Sequence, residues 1–263
     1  RFGYVDYVPL PVELDQHFIM PDKERGELKF TCKTGAGWSP TTKTVLTVAR
    51  NQWRKNYPEI IKAAAILNKS NPGLYSFVLH CRPVEPMGWD LPRLVKYYNV
   101  GNCVAISDQE LPPDQKHKLY NSADVFLLPS LGEGFGIPIV EAALYKIPVL
   151  TTNDTAGRDL TEIIKCEPMN LDFDTNWQHG PTIPRPLVTA DVIAKKLLEL
   201  EQHGPQYDLA QTKHLAEKNF CVNNICDKWE QIILNHVASR NRAFGIDPTL
   251  GEGDLALPKE DLV

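Results

Sequence analysis

The sequence predicts an α/β protein, a Rossmann-like doubly wound parallel sheet with a helical C-terminal end. From Lys43 to about residue 165, short apolar runs alternate with segments of helical spacing, the pattern of consecutive βα units. The runs are continuously apolar, as expected for parallel strands covered on both faces. After residue 188 the helical spacing continues without further strand patterns, so helices are expected to close the domain.

Five strands are predicted in the alternating region, in the order "KTVLTVAR", "LYSFVLHCR", "CVAIS", "DVFLLPS" and "IPVLTT". A helix is predicted between each pair of strands. Pro58 suits the first turn of the helix after the first strand, and Pro138 suits the first turn of "IPIVEAALYK". Asp90 is predicted to cap the helix "DLPRLVKYYN".

Composition divides the chain into three segments. Residues 1–42 are predicted to be an interdomain linker or irregular start, because the prolines of "YVPLPVELDQHF" interrupt any helix there. Residues 43–240 are predicted to form the Rossmann-like domain, with a Pro-rich loop over 166–188. Residues 241–263 are rich in glycine, proline and acidic residues and are predicted to be a flexible tail.

The overall composition is that of a soluble globular protein, with 43% hydrophobic and 23% charged residues. A formal net charge of −5 argues against a nucleic-acid-binding protein. The six cysteines form no CxxC pair, and the seven histidines show no metal-ligand spacing. We therefore expect reduced thiols and a cytoplasmic protein. No apolar run in the sequence is long enough to span a bilayer.

A basic cluster follows the first predicted strand. Arg50, Arg54 and Lys55 fall within six residues of "ARNQWRKN", at the carboxyl edge of the sheet, where open α/β sheets bind their ligands. A solvated basic turn would explain the cluster without a ligand. Cations are, however, unfavourable before a helix N-terminus, which indicates that an anion such as a phosphate group is bound there.

A glycine-rich loop follows the fourth predicted strand. Gly132, Gly134 and Gly136 allow the backbone to approach a ligand closely and to adopt positive φ. The next helix is predicted to begin near Ile137, and its free N–H groups can hold a phosphate or sugar hydroxyls.

Two glutamates accompany these glycines, Glu133 in the loop and Glu141 about one turn inside the helix. A glutamate in the first turns of a helix is also stabilising by itself, so Glu141 has a purely structural alternative. The spacing recurs at Glu252 and Glu260, where no strand precedes it and Pro258 interrupts any helix. The spacing alone is therefore weak, and its position after a strand and a glycine loop is what makes it specific.

With these segments in order, the chain resembles the C-terminal, donor-binding domain of GT-B glycosyltransferases of the retaining GT4 type. "GEGFGIPIVEAALYKIPV" is similar to their E-x7-E signature, and "ARNQWRKN" to their diphosphate-binding segment. "LYNSADVFLLPS" is similar to the segment that leads into the signature, and "YVPLPVELDQHF" loosely to the interdomain linker. Lys146 departs from the glycine that the family often has before the fifth strand.

The resemblance implies a role for each site residue. Glu141 would accept hydrogen bonds from the ribose hydroxyls, and Glu133 would hold hydroxyls of the donor hexose. Arg50 and Lys55 would neutralise the diphosphate and, with Glu133, form the catalytic set, and Arg54 would assist. The backbone of the loop and first helical turn would contact the sugar and phosphate, through Gly134, Phe135, Gly136 and Ile137.

The implied function is transfer of a hexose from a nucleoside-diphosphate sugar to an acceptor, with retention of configuration and with no metal or other cofactor required. The acceptor would be a glycan, a lipid or a small molecule. The resemblance covers one of the two GT-B domains, so an N-terminal domain is expected in cis or in trans. That domain could also bring a cytoplasmic protein to a membrane surface.

Three alternatives to a transferase remain open. A non-catalytic subunit could bind a nucleotide sugar with the same residues, and an epimerase or phosphorylase could share the architecture. An NAD-dependent dehydrogenase is less favoured, because the glycines read G-x-G-x-G and follow the fourth strand instead of the first.

Overall fold

The computed structural model describes residues 8–14, 17–108, 110–169 and 187–243. These residues form a six-stranded parallel sheet in the order β3-β2-β1-β4-β5-β6. Winding reverses between β1 and β4, and in doubly wound sheets this switch point is where ligands bind. The strands are β1 (Lys43–Val48), β2 (Tyr75–His80), β3 (Val104–Ser107), β4 (Val125–Leu128), β5 (Val149–Thr152) and β6 (Glu167–Met169).

The sheet lies between two layers of helices. Right-handed crossovers place α2 and α3 on one face and α4, α5 and α6 on the other, because the chain moves outward in opposite directions from β1 and β4. After β6, α7 packs on α2, and α8 packs on α5 and α6. The helices are α1 (Asp22–Gly35), α2 (Tyr57–Ser70), α3 (Leu91–Tyr97), α4 (Pro113–Asn121), α5 (Ile137–Leu144), α6 (Thr155–Ile164), α7 (Ala190–His203), α8 (Leu209–Phe220) and α9 (Val222–Ala243).

The predicted fold class and the five predicted strands are confirmed. Strands β1, β4 and β5 are buried along most or all of their length, which explains their uninterrupted apolar sequences. Asp90 caps α3 by accepting a hydrogen bond from the N–H of Arg93 at 3.0 Å. Pro138 lies in the first turn of α5, as predicted.

The loop predicted over residues 166–188 begins differently. Its first residues form the sixth strand, β6, which pairs with β5 at the edge of the sheet. The strand has three residues and contains Pro168, so it lacks the length and the apolar pattern by which strands are recognised. An edge position tolerates this proline, because its missing N–H is not needed by another strand. Residues 170–186 lie outside the described residues.

The prediction that residues 1–42 are irregular is wrong for α1, a helix of 14 residues. The helix contains both Gly26 and Gly35 and has no continuous apolar stripe, which is why its sequence does not indicate a helix. Lys29 and Lys33 instead anchor it to Asp124, at 2.5 and 3.0 Å, just before β4. Charge pairing therefore holds a segment that hydrophobic periodicity could not reveal.

The predicted tail, residues 241–263, lies outside the described residues except for the last turn of α9. The second copy of the glutamate spacing, at Glu252 and Glu260, also falls there. Within the part of the chain that is described, no helix has the length and apolar character needed to cross a membrane.

Candidate active site at the β1–β4 switch point

The loops after β1 and β4 meet at the switch point and bring three of the predicted site residues together. The ammonium of Lys55 donates to Oε1 of Glu133 at 2.5 Å. The guanidinium of Arg54 donates to Oε2 of the same carboxylate at 3.2 Å and to the carbonyl of Gly132 at 2.7 Å. Both carboxylate oxygens of Glu133 therefore have a cationic partner from the β1 loop.

The backbone fixes this arrangement. A 3₁₀ turn at Trp53–Lys55 follows β1 and ends at Asn56, whose φ of +59° turns the chain into α2. The carbonyl of Arg54 accepts two hydrogen bonds from the β4 loop, from the N–H of Leu131 at 2.6 Å and from the hydroxyl of Ser130 at 2.9 Å. Because the two loops are bonded to each other, Lys55 and Glu133 are held in place before any ligand arrives.

The Lys55–Glu133 pair is almost completely removed from water. Their side chains are 8% and 6% exposed. Burial lowers the pKa of Lys55, and the neighbouring carboxylate of Glu133 acts in the opposite direction. A preorganised cation that water does not screen is well suited to stabilise charge that develops on a phosphate.

The glycine loop uses positive φ at Gly136, the residue before α5, where φ is +88°. A Cβ at Gly136 would lie 2.9 Å from Cδ1 of Ile139 and 3.1 Å from Cδ1 of Leu160. At Gly134 a Cβ would meet no atom within 4 Å. Gly136 is therefore required by the protein itself, whereas the space beside Gly134 is open to a ligand.

Glu141 lies inside α5 and is 3% exposed. Its Oε2 accepts a hydrogen bond from the hydroxyl of Tyr120 at 2.6 Å, and its Oε1 accepts one from the ammonium of Lys116. Nε2 of His17 lies 3.6 Å from the same Oε1. The carboxylate is therefore held from α4 on two sides and from the segment before α1 on a third.

The side chain of His17 is buried in this cluster. Burial lowers its pKa, and the opposing effect of Glu141 is smaller, so the neutral imidazole is favoured. Nδ1 of His17 lies 3.0 Å from the hydroxyl of Tyr145. In the tautomer that fits both contacts, Nε2 carries the proton towards Glu141 and Nδ1 accepts from the hydroxyl.

A cleft of about 450 Å³ opens at the carboxyl ends of β1, β2 and β3. The structure places Arg50 on its wall, 65% exposed and paired with Glu85 at 3.3 Å. Arg50 thus lies at the cleft and not in the Lys55–Glu133 pair. The wall also includes Pro138 from α5, which brings the helix N-terminus to the same cleft, and it is completed by Val48, Ala49, His80, Cys81, Arg82, Ser107, Asp108 and Glu110.

Sequence reasoning missed the residue that organises one side of the cleft, Asn51. Its buried amide donates to the carbonyls of Arg82 and Trp89, at 3.1 and 2.7 Å, and accepts from the N–H of Trp89 at 3.0 Å. The indole of Trp53 adds a bond to the carbonyl of Gly88 at 2.9 Å. The β1 loop therefore holds the Pro-rich loop after β2 in place through hydrogen bonds. The one indication of this role in the sequence was the position of Asn51, next to the predicted site residue Arg50.

Sequence reasoning also missed the partners of Glu141, which are Lys116, Tyr120 and His17. Lys116 and Tyr120 are four residues apart in the predicted helix "PPDQKHKLYNSA", a spacing that places both on one face. That spacing was the available signal for two of the three. The sequence gave no indication that His17 would contact Glu141, because a segment of irregular sequence does not predict which element it will contact.

The model of the family described as "Glycosyl transferases group 1" matches residues 33–165, about half of the chain. The chain belongs to this family, and its fold is that of the GT-B glycosyltransferases. The family match also removes the ground for the dehydrogenase alternative.

Among curated proteins, the chain is 29% identical over 188 residues to the serotype-specific mannosyltransferase WbdA of Escherichia coli. The match covers 67% of this chain and 21% of the relative, so the chain spans about a fifth of the protein it matches.

Two solved structures show the same fold at low identity. The structure of Anabaena HepE in complex with UDP-glucose gives a TM-score of 0.65 at 16% identity, covering 86% of this chain and 56% of HepE. The sucrose-phosphate synthase of Thermosynechococcus elongatus gives 0.64 at 17% identity, covering 88% of this chain and 52% of the synthase. Each neighbour is therefore nearly twice as long as the region that it shares with this chain.

Proposed function

We propose that the chain is the donor-binding domain of a hexosyltransferase that uses a nucleoside-diphosphate sugar and retains the anomeric configuration. The observation that carries the proposal is the buried contact between Lys55 and Glu133, at 2.5 Å, at the switch point beside the N-terminus of α5. A buried cation, an arginine and free helix N–H groups suit an anionic diphosphate. Two carboxylates on either side suit the hydroxyl-rich ends of the same ligand.

Each residue has a proposed task in the reaction. Negative charge builds on the β-phosphate as the glycosidic bond breaks, and Lys55 with Arg54 and the backbone N–H groups of Phe135, Gly136 and Ile137 stabilises it. Because these donors are already in place, they stabilise the transition state more than the ground state. Glu133 would exchange part of its contact with Lys55 for hydroxyls of the hexose.

Arg50 is proposed to approach the diphosphate from the cleft wall. Its guanidinium is exposed and is oriented by the buried carboxylate of Glu85, so it can turn towards a phosphate at modest cost. A phosphate that displaces Glu85 would replace one charge-assisted contact by another. We therefore propose the diphosphate between Arg50 on the cleft wall and Lys55 at the switch point.

The complete enzyme is proposed to need an N-terminal domain, in cis or in trans, which would supply the acceptor site. One face of α9 supports this proposal, because Trp229, Ile233 and Val237 follow a helical spacing and are 52%, 57% and 47% exposed. Exposed apolar stripes of this kind are typical of surfaces that another domain covers. The solved neighbours, which are nearly twice as long as the shared region, are consistent with such a domain.

Calorimetric titration with UDP, GDP and ADP sugars tests donor binding by the chain. We expect one of the three nucleotides to bind in the micromolar range or tighter. A chain that binds none of them would contradict the proposal. Addition of EDTA should leave the affinity unchanged, since the proposed phosphate site is built from protein cations.

Transfer requires the completed protein. With the N-terminal domain supplied, the anomeric configuration of the first-formed product, followed by NMR, should match that of the donor. An inverted product would contradict retention. Tight donor binding without transfer in the completed protein would favour the non-catalytic subunit instead.

A further inference from the structure

We propose that Lys116 is a further donor-binding residue, whose ammonium joins the carboxylate of Glu141 to a ribose oxygen of the nucleotide. The inference rests on the proposed function, because it assigns a second residue to the ribose end of that site. The Glu141–Lys116 contact is defined by the structure, but neither composition nor the family resemblance pointed to Lys116.

The two oxygens of Glu141 face different surroundings. Oε2 is held by the hydroxyl of Tyr120, which is fully buried, so no ligand can reach that side. Oε1 is held by Lys116, whose side chain is 35% exposed. The open approach to the carboxylate is therefore the side that the Lys116 ammonium occupies.

The Glu141 carboxylate, which Lys116 contacts, lies one turn along α5 from a residue of the cleft wall. His80 lies on the same wall, and its pKa is lowered by burial and then by the positive charge of Lys116, which agrees with this arrangement. His80 lines the cleft with Pro138, which precedes Glu141 by one turn of α5. The Lys116–Glu141 contact therefore lies next to the cleft in which the nucleotide is proposed to bind.

The chemistry of the pair suits a ribose. A lysine ammonium has three donors and no acceptor, and Glu141 uses one of them. A ribose hydroxyl can donate to a carboxylate and accept from an ammonium at the same time, so one hydroxyl satisfies both residues. The lysine also offsets the charge of a buried carboxylate, which would otherwise repel the nearby diphosphate.

The test compares a nucleoside diphosphate with its 2′-deoxy and 3′-deoxy counterparts by calorimetry, using whichever of UDP, GDP and ADP binds tightest. In the wild-type chain we expect at least one deoxy form to bind roughly tenfold more weakly, the effect of a hydrogen bond to a charged group. In Lys116→Met the ratio should fall to about threefold, because Glu141 still accepts from the hydroxyl, whereas Lys116→Arg should keep most of it. Lys118→Met is the matched control, because Lys118 is exposed on the same helix, and its ratio should be that of the wild type.

A wild-type ratio in Lys116→Met would overturn the inference, as would a wild-type chain that does not distinguish deoxy from ribose. In both cases the nucleotide still binds and the proposed function stands. Failure of the wild-type chain to bind any nucleoside diphosphate would instead contradict the proposed function itself. Because the ratio compares two ligands on one preparation, partial unfolding of a variant does not change it.

Discussion

Glu133 and Glu141 are both buried, and each is paired with a lysine, but the two pairs are built differently. Glu133 takes its partners, Lys55 and Arg54, from the loop that follows the neighbouring strand of the sheet. Glu141 takes its partners from α4 and from the segment before α1. The first pair is closed to water on both sides, whereas the second has a half-exposed member in Lys116.

The difference shows which part of the site is fixed and which part can respond to a ligand. The loops that carry Lys55 and Glu133 are hydrogen-bonded to each other through the carbonyl of Arg54. Lys116 reaches its glutamate from the surface of α4, so a ligand can share or displace it at smaller cost. We therefore expect changes at the first pair to cost more folding free energy than the same changes at the second.

The largest expected effect tests this comparison between the two pairs directly. Lys55→Met leaves Glu133 buried with one of its two cations, and should lower the free energy of unfolding by about 3 kcal/mol. Lys116→Met leaves Glu141 with Tyr120 and His17 and opens Oε1 to water from the side of the half-exposed lysine, so it should cost less, about 1–2 kcal/mol. Urea unfolding followed by circular dichroism measures both values, and equal losses would show that the two pairs are equivalent.

The glycine loop offers the next largest effect. Gly136→Ala should cost about 1–3 kcal/mol, because alanine is strained at positive φ and its Cβ would meet Ile139 and Leu160. Gly134→Ala should change the free energy of unfolding by less than about 0.5 kcal/mol, since nothing surrounds its Cβ. Thermal unfolding of the two variants measures this difference. A larger loss of stability in Gly134→Ala than in Gly136→Ala would contradict the structural role assigned to Gly136.

The pH dependence of stability tests the environment of His17, which lies beside Glu141. The pKa of His17 is lowered in the folded chain, so the unfolded chain binds the proton more readily. Stability should therefore fall as the pH drops below the ordinary histidine pKa of about 6.5. His17→Gln should show a shallower dependence there, and part of the remaining slope should come from His80, whose pKa is also lowered. An unchanged slope in His17→Gln, from urea unfolding at several pH values, would contradict the assignment.

The smallest expected effect concerns the end of the helix that carries Glu141. Lys146 adopts a φ of +52° after α5, a conformation that costs a non-glycine residue about 1–2 kcal/mol. Lys146→Gly should remove this strain at a smaller entropic cost and raise the free energy of unfolding by about 0.5 kcal/mol. A fall in the melting temperature would show that the lysine makes a compensating contact.

The sequence predicted the fold, and it placed Lys55 and Glu133 at the same edge of the sheet, because both depend on order along the chain. Lys55 and Glu133 follow β1 and β4, and the carboxyl ends of parallel strands share one edge, so their proximity could be expected. The departure at Lys146 was also visible, since a glycine was expected in that turn. Only the direct bond between Lys55 and Glu133 needed the structure.

The second pair could not be predicted, because it depends on how a helix and an irregular segment pack. His17 reaches Glu141 across the fold, held by a segment that is bonded to Asn121 of α4 through Phe18 and Met20. Contacts of that kind are set by tertiary packing and leave no periodic signal. The sixth strand was missed for a related reason. It is defined by its pairing with β5, and its three residues show no strand pattern in the sequence.

The central claim is that separate residues bind separate parts of the donor, with Lys55 at the diphosphate and Glu141 at the ribose. Calorimetric titration of the wild type, Lys55→Ala and Glu141→Ala with a nucleoside and with its diphosphate tests this division most directly. We predict that Lys55→Ala loses roughly tenfold or more in affinity for the diphosphate and little for the nucleoside, whereas Glu141→Ala loses similar factors for both. Equal losses for both ligands in Lys55→Ala, or unchanged binding in Glu141→Ala, would contradict it.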